Sequence, residues 1–152
     1  MFTDALTRRI PGFADSPELQ RAIAEVAPAL AEHRYLRLTT FRKNGTAVAT
    51  PVWFAPDDGR LLVITEETSF KVRRINNNPS VLIAPCDARG RPLGDNVAAT
   101  AEVLPDAELS HTREVLTARY GVQSHAITLA IRAASLIPGR AGPSRVGIAL
   151  RL

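Results

Sequence analysis

Alternation of apolar and polar positions defines the middle of the chain. Leu36, Leu38 and Thr40 alternate with Arg37, Thr39 and Phe41, a period of two that predicts a strand. Asn44-Gly45 is a strong hairpin turn, and residues 48–54 return as the next strand. Pro51 has no amide hydrogen, so that strand must have an edge, a bulge or a ligand at this point. Pro56-Asp57-Asp58-Gly59 closes a second turn, and Leu61-Leu62-Val63-Ile64 forms a third strand. A fourth follows at Val81-Leu82-Ile83-Ala84, and Arg89-Gly90-Arg91-Pro92 turns the chain into a fifth near 97–104. Val146-Gly147-Ile148-Ala149-Leu150 reads as a last, apolar strand.

Helical signals lie between and outside these strands. Asp15-Ser16-Pro17-Glu18 marks a helix start, with Pro17 in the first turn and Glu18 placed to serve a capping box. That helix runs toward Val26, and Pro28 kinks or restarts it. Ser69 opens a short basic helix that ends at Asn77, before Pro79. Pro105-Asp106 opens another through Arg119, with Leu109, Val115 and Leu116 at helical spacing. A further helical segment is expected near 124–136, then a Pro/Gly loop at 138–143. Short strands joined by tight turns, with helices at the ends, predict a mostly β (α+β) fold, a closed antiparallel barrel with helical additions. One domain is expected over 1–152: a helical N-terminus to about 33, a barrel over about 35–104, a helical insertion over 106–137 and a final strand over 144–151.

Composition narrows the partners. Nineteen basic residues against fifteen acidic ones give a net charge of +4, which favours anionic ligands without requiring nucleic acid. Aromatics are only 5%, too few for single-strand stacking platforms, so no nucleic-acid role is expected. No run approaches the roughly 18 apolar residues that span a bilayer, and the first residues lack the apolar core of a signal peptide. No membrane association and a cytoplasmic location are therefore the expectation. A single cysteine, Cys86, excludes an internal disulfide and reads as a buried, inert thiol. His33, His111 and His125 are scattered without metal-ligand spacing, so no metal site is expected. Neither GxSxG nor GxGxxG occurs, which removes the hydrolase-elbow and Rossmann readings.

The chemistry concentrates between Thr50 and Pro79. Strand, turn, strand and a helix beginning at Ser69 would bring a hydroxyl, a lysine and free helix-start amides to the mouth of a sheet, where a phosphorylated cofactor can be held. Each residue also has a plainer reading. Lys71 on a short helix could be a solvated surface cation, and Thr50 with Pro51 could be edge-strand protection. Ser69 serves as an N-cap with or without ligand. Trp53 is core or a ring-stacking platform, and Phe70 closes over a ring or plugs the core. Arg73, Arg74, Arg89 and Arg91 are either solvated or a basic set for an acidic tail, with Arg74 nearest Lys71 on a helix.

Thr65, Ser69 and Lys71, followed by Asn78-Pro79, match the spacing T-x-x-x-S-x-K…N-P. In this the chain resembles the split β-barrel flavin and deazaflavin oxidoreductases, whose best-known branch is pyridoxamine phosphate oxidase. The segments LTTFRKNG and ATPVWF, and residues 84–92, look more like the branch that uses the deazaflavin coenzyme F420. The resemblance implies a split barrel of the FMN-binding type and a homodimer with the cofactor groove between protomers. It also implies a phosphate held by Thr65, Ser69 and Lys71; on that footing Thr50, Pro51 and Val52 are expected to flank the ring, and Arg74, with Arg89, to meet the negative tail. Thr50 stands where the oxidase branch has an arginine, which removes one phosphate-binding cation from the FMN reading. An F420-dependent oxidoreductase acting on an organic acceptor is the expectation. The alternatives are an FMN-dependent oxidoreductase, or a non-catalytic cofactor, haem or lipid binder on the same barrel.

Overall fold

The computed structural model describes residues 15–120 and 144–152. Seven strands run through them: β1 (Tyr35–Phe41), β2 (Ala47–Val52), β3 (Ala55–Asp57), β4 (Arg60–Glu66), β5 (Ser80–Cys86), β6 (Val97–Val103) and β7 (Arg145–Arg151). Three α-helices accompany them: α1 (Pro17–Val26), α2 (Phe70–Asn77) and α3 (Leu109–Tyr120). All ladders are antiparallel, and the spatial order is β2-β1-β5-β6-β7-β4-β3. The sheet curls into a half-barrel, and the fold is the α+β split barrel. The segments expected near 124–136 and 138–143 lie outside the described residues.

The turns follow their residues. Gly45 takes φ +87° and its amide donates to the Arg42 carbonyl at 2.8 Å, which fixes the β1–β2 hairpin. Asp58 and Gly59 both take positive φ, +48° and +79°, and form the two-residue loop between β3 and β4. At the start of α1, the Ser16 hydroxyl accepts from the Leu19 amide at 3.1 Å. Glu18 falls at the second helical position, one residue short of the reciprocal place in a capping box, and is solvent-exposed. The side chain of Gln20 instead ties the two ends of this region, donating to Asp15 Oδ2 and accepting from the Glu32 amide, each at 2.9 Å.

The main core fills the concave face. Leu36 and Leu38 from β1, Leu61 and Val63 from β4, Val81 and Ile83 from β5, and Ile148 and Leu150 from β7 meet Ile23 of α1 and Ile75 of α2 there. The convex side of β4 and β7 is covered by α3, with Leu62, Leu104 and Ala149 in one cluster and Ala55, Leu116 and Tyr120 in another.

Two expectations need correction. The sequence predicts one strand over 48–54 and a closed barrel; the structure ends β2 at Val52, starts the separate β3 at Ala55, and leaves these two strands as opposite edges of the sheet. The reason is where the backbone of Phe54 finds its partners. Its amide donates to Tyr120 Oη at 3.1 Å, and its carbonyl accepts from Arg119 at 2.7 Å and from Tyr120 Oη at 3.0 Å. Side chains of α3 thus take the place of a neighbouring strand, and the barrel stays split. Trp53, half-buried at this crossing, stacks on Tyr120 with ring centroids 4.5 Å apart.

Arg119 is buried beside these groups and pairs with the equally enclosed Asp15 at 3.0 Å, their side chains 0% and 4% exposed. Removing one member of a buried pair strands the other charge at a cost of about 3 to 5 kcal/mol, against less than about 1 kcal/mol for an exposed pair. In urea unfolding, Asp15→Ala should therefore lower stability by about 3 kcal/mol. Glu102→Ala, which breaks the exposed pair with Arg151, should cost less than about 1 kcal/mol.

Candidate functional site: a cationic groove over the second helix

The strand β4 delivers Thr65 to the concave face, opposite Val146 of β7, and leaves it only 7% exposed. Four residues later Ser69 stands at the start of α2, whose Val72 and Ile75 are buried. Burying that face leaves Lys71 and Arg74, three apart, on the adjoining stripe. Beside them the β1–β2 hairpin projects Arg42 and Lys43. The result is a groove of about 1020 Å³ whose lining includes Arg42, Lys43, Lys71, Arg73 and Arg74, with Val48, Thr50, Ser69 and Phe70. No carboxylate is among the described residues that line it.

Three of the expected ligands meet at one end, Ser69 and Lys71 in the lining and Thr65 buried behind them, outside it. The Thr65 hydroxyl donates to Ser69 Oγ at 3.5 Å and accepts from Lys71 Nζ at 3.4 Å. Both contacts are long, so these groups retain capacity for a ligand oxygen. Ser69 occupies the N-cap position of α2, but its hydroxyl makes no capping bond. The first-turn amides of α2 therefore receive no side-chain cap, and this helix end with its partial positive charge adjoins the lysine.

The electrostatics are those of a site lacking its counter-charge. Burial pushes the Lys71 ammonium below its ordinary pKa, the nearby Arg74 pushes it further, and Glu66 only partly compensates. Arg74 is lowered as well, by burial and by Arg42. Arg74 Nε donates to the Thr40 hydroxyl at 2.6 Å, a short charge-assisted bond.

The other expected residues divide. Thr50 lines the groove. Val52 packs against the main core, and Pro51 lies beneath the β5–β6 loop, where a Cβ on Gly90 would come within 3.3 Å of its ring. Neither is among the groove-lining residues. Arg89 and Arg91 are exposed on that loop, their amides donating to Asp87 Oδ1 at 2.9 Å each, and they are not part of the lining. Phe70 is 70% exposed at the rim, so it is not a core plug. Cys86 is buried and its thiol is pushed up to about 11, mainly by burial, as an inert cysteine should be.

Sequence reasoning missed Arg42, Lys43 and Thr40 as parts of the site. The first two had a legible signal, since cations that immediately precede a hairpin turn project past the end of a sheet. Thr40 had none beyond its place on the inner face of β1.

A family model described as pyridoxamine 5'-phosphate oxidase matches residues 22–141. The chain belongs to that family. No curated protein matches it. Among solved structures it is similar to an F420 reductase, at 24% identity over 83% of this chain and 91% of that one, with a TM-score of 0.53. It is also similar to the haem-storage protein HutZ of Vibrio cholerae (16% identity, 90% and 88% coverage, TM-score 0.56). An FAD-binding protein of Mesorhizobium loti aligns at 17% identity over 82% and 83% of the two chains, with a TM-score of 0.54. These similarities establish the shared barrel. Family members are flavin-binding in general, and no helix among the described residues is long and apolar enough to cross a membrane.

The lowered Lys71 pKa has a directional consequence. An anion bound beside the ammonium stabilises its charged form and raises the pKa again. Binding is then strongest below the pKa of the free protein and weakens as pH rises through it, starting below the ordinary lysine value of 10.5. Affinity for a phosphorylated coenzyme, titrated across alkaline pH, should show this loss, and Lys71→Arg should abolish it.

Proposed function

We propose that the protein is an F420-dependent oxidoreductase that works as a homodimer and passes hydride to an organic acceptor. The observation that carries this reading is the groove itself: five cations, the Ser69 hydroxyl at a helix start with the Thr65 hydroxyl buried behind it, and no carboxylate among the described lining residues. Such a donor set suits a phosphoryl group, whose oxygens accept charge-assisted bonds about twice as strong as neutral ones. Thr65, Ser69 and Lys71 would hold the phosphate. Arg74, with Arg42 and Lys43, would meet the remaining negative charge of the coenzyme. The similarity to an F420 reductase favours the deazaflavin, as does Thr50 standing where the oxidase branch carries a further cation.

The coenzyme supplies the hydride chemistry; the chain supplies binding, orientation and exclusion of water. Thr50 on the groove wall, with Pro51 and Val52 beyond it, lies on the edge strand β2, where the ring would be flanked. The exposed Phe70 at the rim offers an apolar surface to a planar ring or to a second protomer. Arg89, outside the lining, reaches a coenzyme tail only if that tail leaves the groove toward the β5–β6 loop.

FMN is the second reading, because the same donors fit its phosphate and an FAD-binding protein shares the barrel. A haem-binding role finds less support: the described lining contains no histidine, cysteine, methionine or tyrosine to ligate iron.

Side-by-side equilibrium titration of apoprotein with F420 and FMN tests the reading. F420 should bind more tightly, and Lys71→Ala should weaken it by at least about tenfold, the scale of one lost charge-assisted contact. A protein that purifies yellow with a flavin spectrum would move the assignment to FMN. Unchanged affinity in Lys71→Ala would sink the phosphate assignment.

A further inference from the structure

Thr40 lies buried behind the groove, where it partners a groove cation without lining the groove itself. It is 1% exposed, on the concave face of β1, directly opposite Val48 of β2, and it is absent from the lining. Its hydroxyl accepts from Arg74 Nε at 2.6 Å and faces the Val48 carbonyl at 3.5 Å. The Arg74 guanidinium makes no other hydrogen bond or ion pair with a described residue. The guanidinium is thus held by its inner nitrogen, while its two terminal nitrogens bond to no described residue and border the groove that Arg74 lines.

We infer that Thr40 is a positioning residue for anion binding, fixing Arg74 so that it presents a preformed two-nitrogen fork to a phosphoryl group. This rests on the reading of the groove as an anion site and deepens it. An arginine side chain has several rotatable bonds, and ordering it only on binding would subtract from affinity. Arg42 also repels Arg74, and burial disfavours its charge. Both push the guanidinium toward solvent unless something anchors it. A buried hydroxyl fixed by strand register supplies that anchor, and the planar fork then matches two phosphoryl oxygens. Lysine in place of Arg74 would have neither the Nε donor nor the fork.

The test compares wild type with Thr40→Val, Thr40→Ser, Arg74→Ala, the Thr40→Val/Arg74→Ala double variant and Lys71→Ala. Each is titrated with inorganic pyrophosphate and with F420, and its thermal melting is recorded. Thr40→Val keeps shape but loses the acceptor, and should weaken both probes about fivefold, while Thr40→Ser retains wild-type affinity. In the Arg74→Ala background Thr40→Val should have no further effect, a non-additivity that a purely structural threonine would not produce. Should Thr40→Val lose affinity equally with and without Arg74, or not at all while Lys71→Ala does, the positioning role is wrong and the anion site stands. If wild type binds neither probe, both ideas fall. If pyrophosphate binds but F420 does not, the coenzyme reading fails and the ranking of variants on pyrophosphate decides the role of Thr40. Should Thr40→Val melt far below wild type, the Thr40→Ser result decides alone, and weakened binding in that variant overturns the inference.

Discussion

The helical repeat of α2 forces the cations together. Val72 and Ile75 lie on one face and are buried against the barrel, which contributes about 1.5 to 3 kcal/mol for each aliphatic side chain. Lys71 and Arg74 have the same three-residue spacing and cannot leave the neighbouring stripe without exposing that pair. Their mutual repulsion and the unfavourable dipole at the helix start each amount to only a few tenths of a kcal/mol up to about 1. Apolar burial wins, and the repulsion is retained as a standing preference for an anion. The lowered pKa of Lys71, with burial first and Arg74 second among its causes, reports the same imbalance.

A different interaction keeps the neighbouring wall open. Phe54 crosses from one sheet edge to the other with its backbone bonded to Arg119 and Tyr120 rather than to a strand. Arg119 is itself satisfied by Asp15 and by the His33 carbonyl at 2.6 Å, and the single Tyr120 hydroxyl hydrogen is shared between the Arg34 carbonyl at 2.8 Å and the Phe54 carbonyl. Burial raises the phenol to about 12, so Tyr120 remains protonated and able to donate at physiological pH. The crossing is therefore rigid at its centre, and β2 remains an edge strand beside the groove. Pro51, lacking a donor, and the partial exposure of this strand suit a position where no further ladder forms among the described residues.

Much of this was legible in the sequence because it is local. Alternation located β1, short apolar runs located β4, β5 and β7, the turn at 89–92 announced β6, and the Asn-Gly and Asp-Gly turns placed both hairpins. The cluster of Thr65, Ser69 and Lys71 was legible for the same reason, since a strand end and the following helical turn lie within seven residues. What could not be read depends on distant groups. The break between β2 and β3 is made by side chains 65 or 66 residues away. The contact of Thr40 with Arg74 spans 34 residues and needs the helix docked on the sheet. Arg42 and Lys43 precede a legible hairpin turn, but only the folded hairpin brings them to the groove that Lys71 lines. Pro51 and Val52 were grouped with Thr50 as flanks of a ring; Pro51 faces the other side of the sheet, and Val52, on the same face as Thr50 but opposite Leu36, is taken up by the core.

Register links these local and distant parts. The pairing of Thr40 with Val48 and of Leu38 with Thr50 follows from the turn at Asn44-Gly45, where Gly45 adopts the positive φ that other residues resist. A slip of one residue would turn the inner face of β1 outward, moving Leu36 and Leu38 out of the core and Thr40 away from Arg74. Loss of that much apolar burial far exceeds any single polar contact, so the core enforces the register and the polar contact inherits its precision. A glycine at a hairpin tip thereby governs the posture of an arginine on a helix that begins 25 residues later. The affinity of the groove for an anion is in this sense set by the packing of the barrel and not by the groove residues alone.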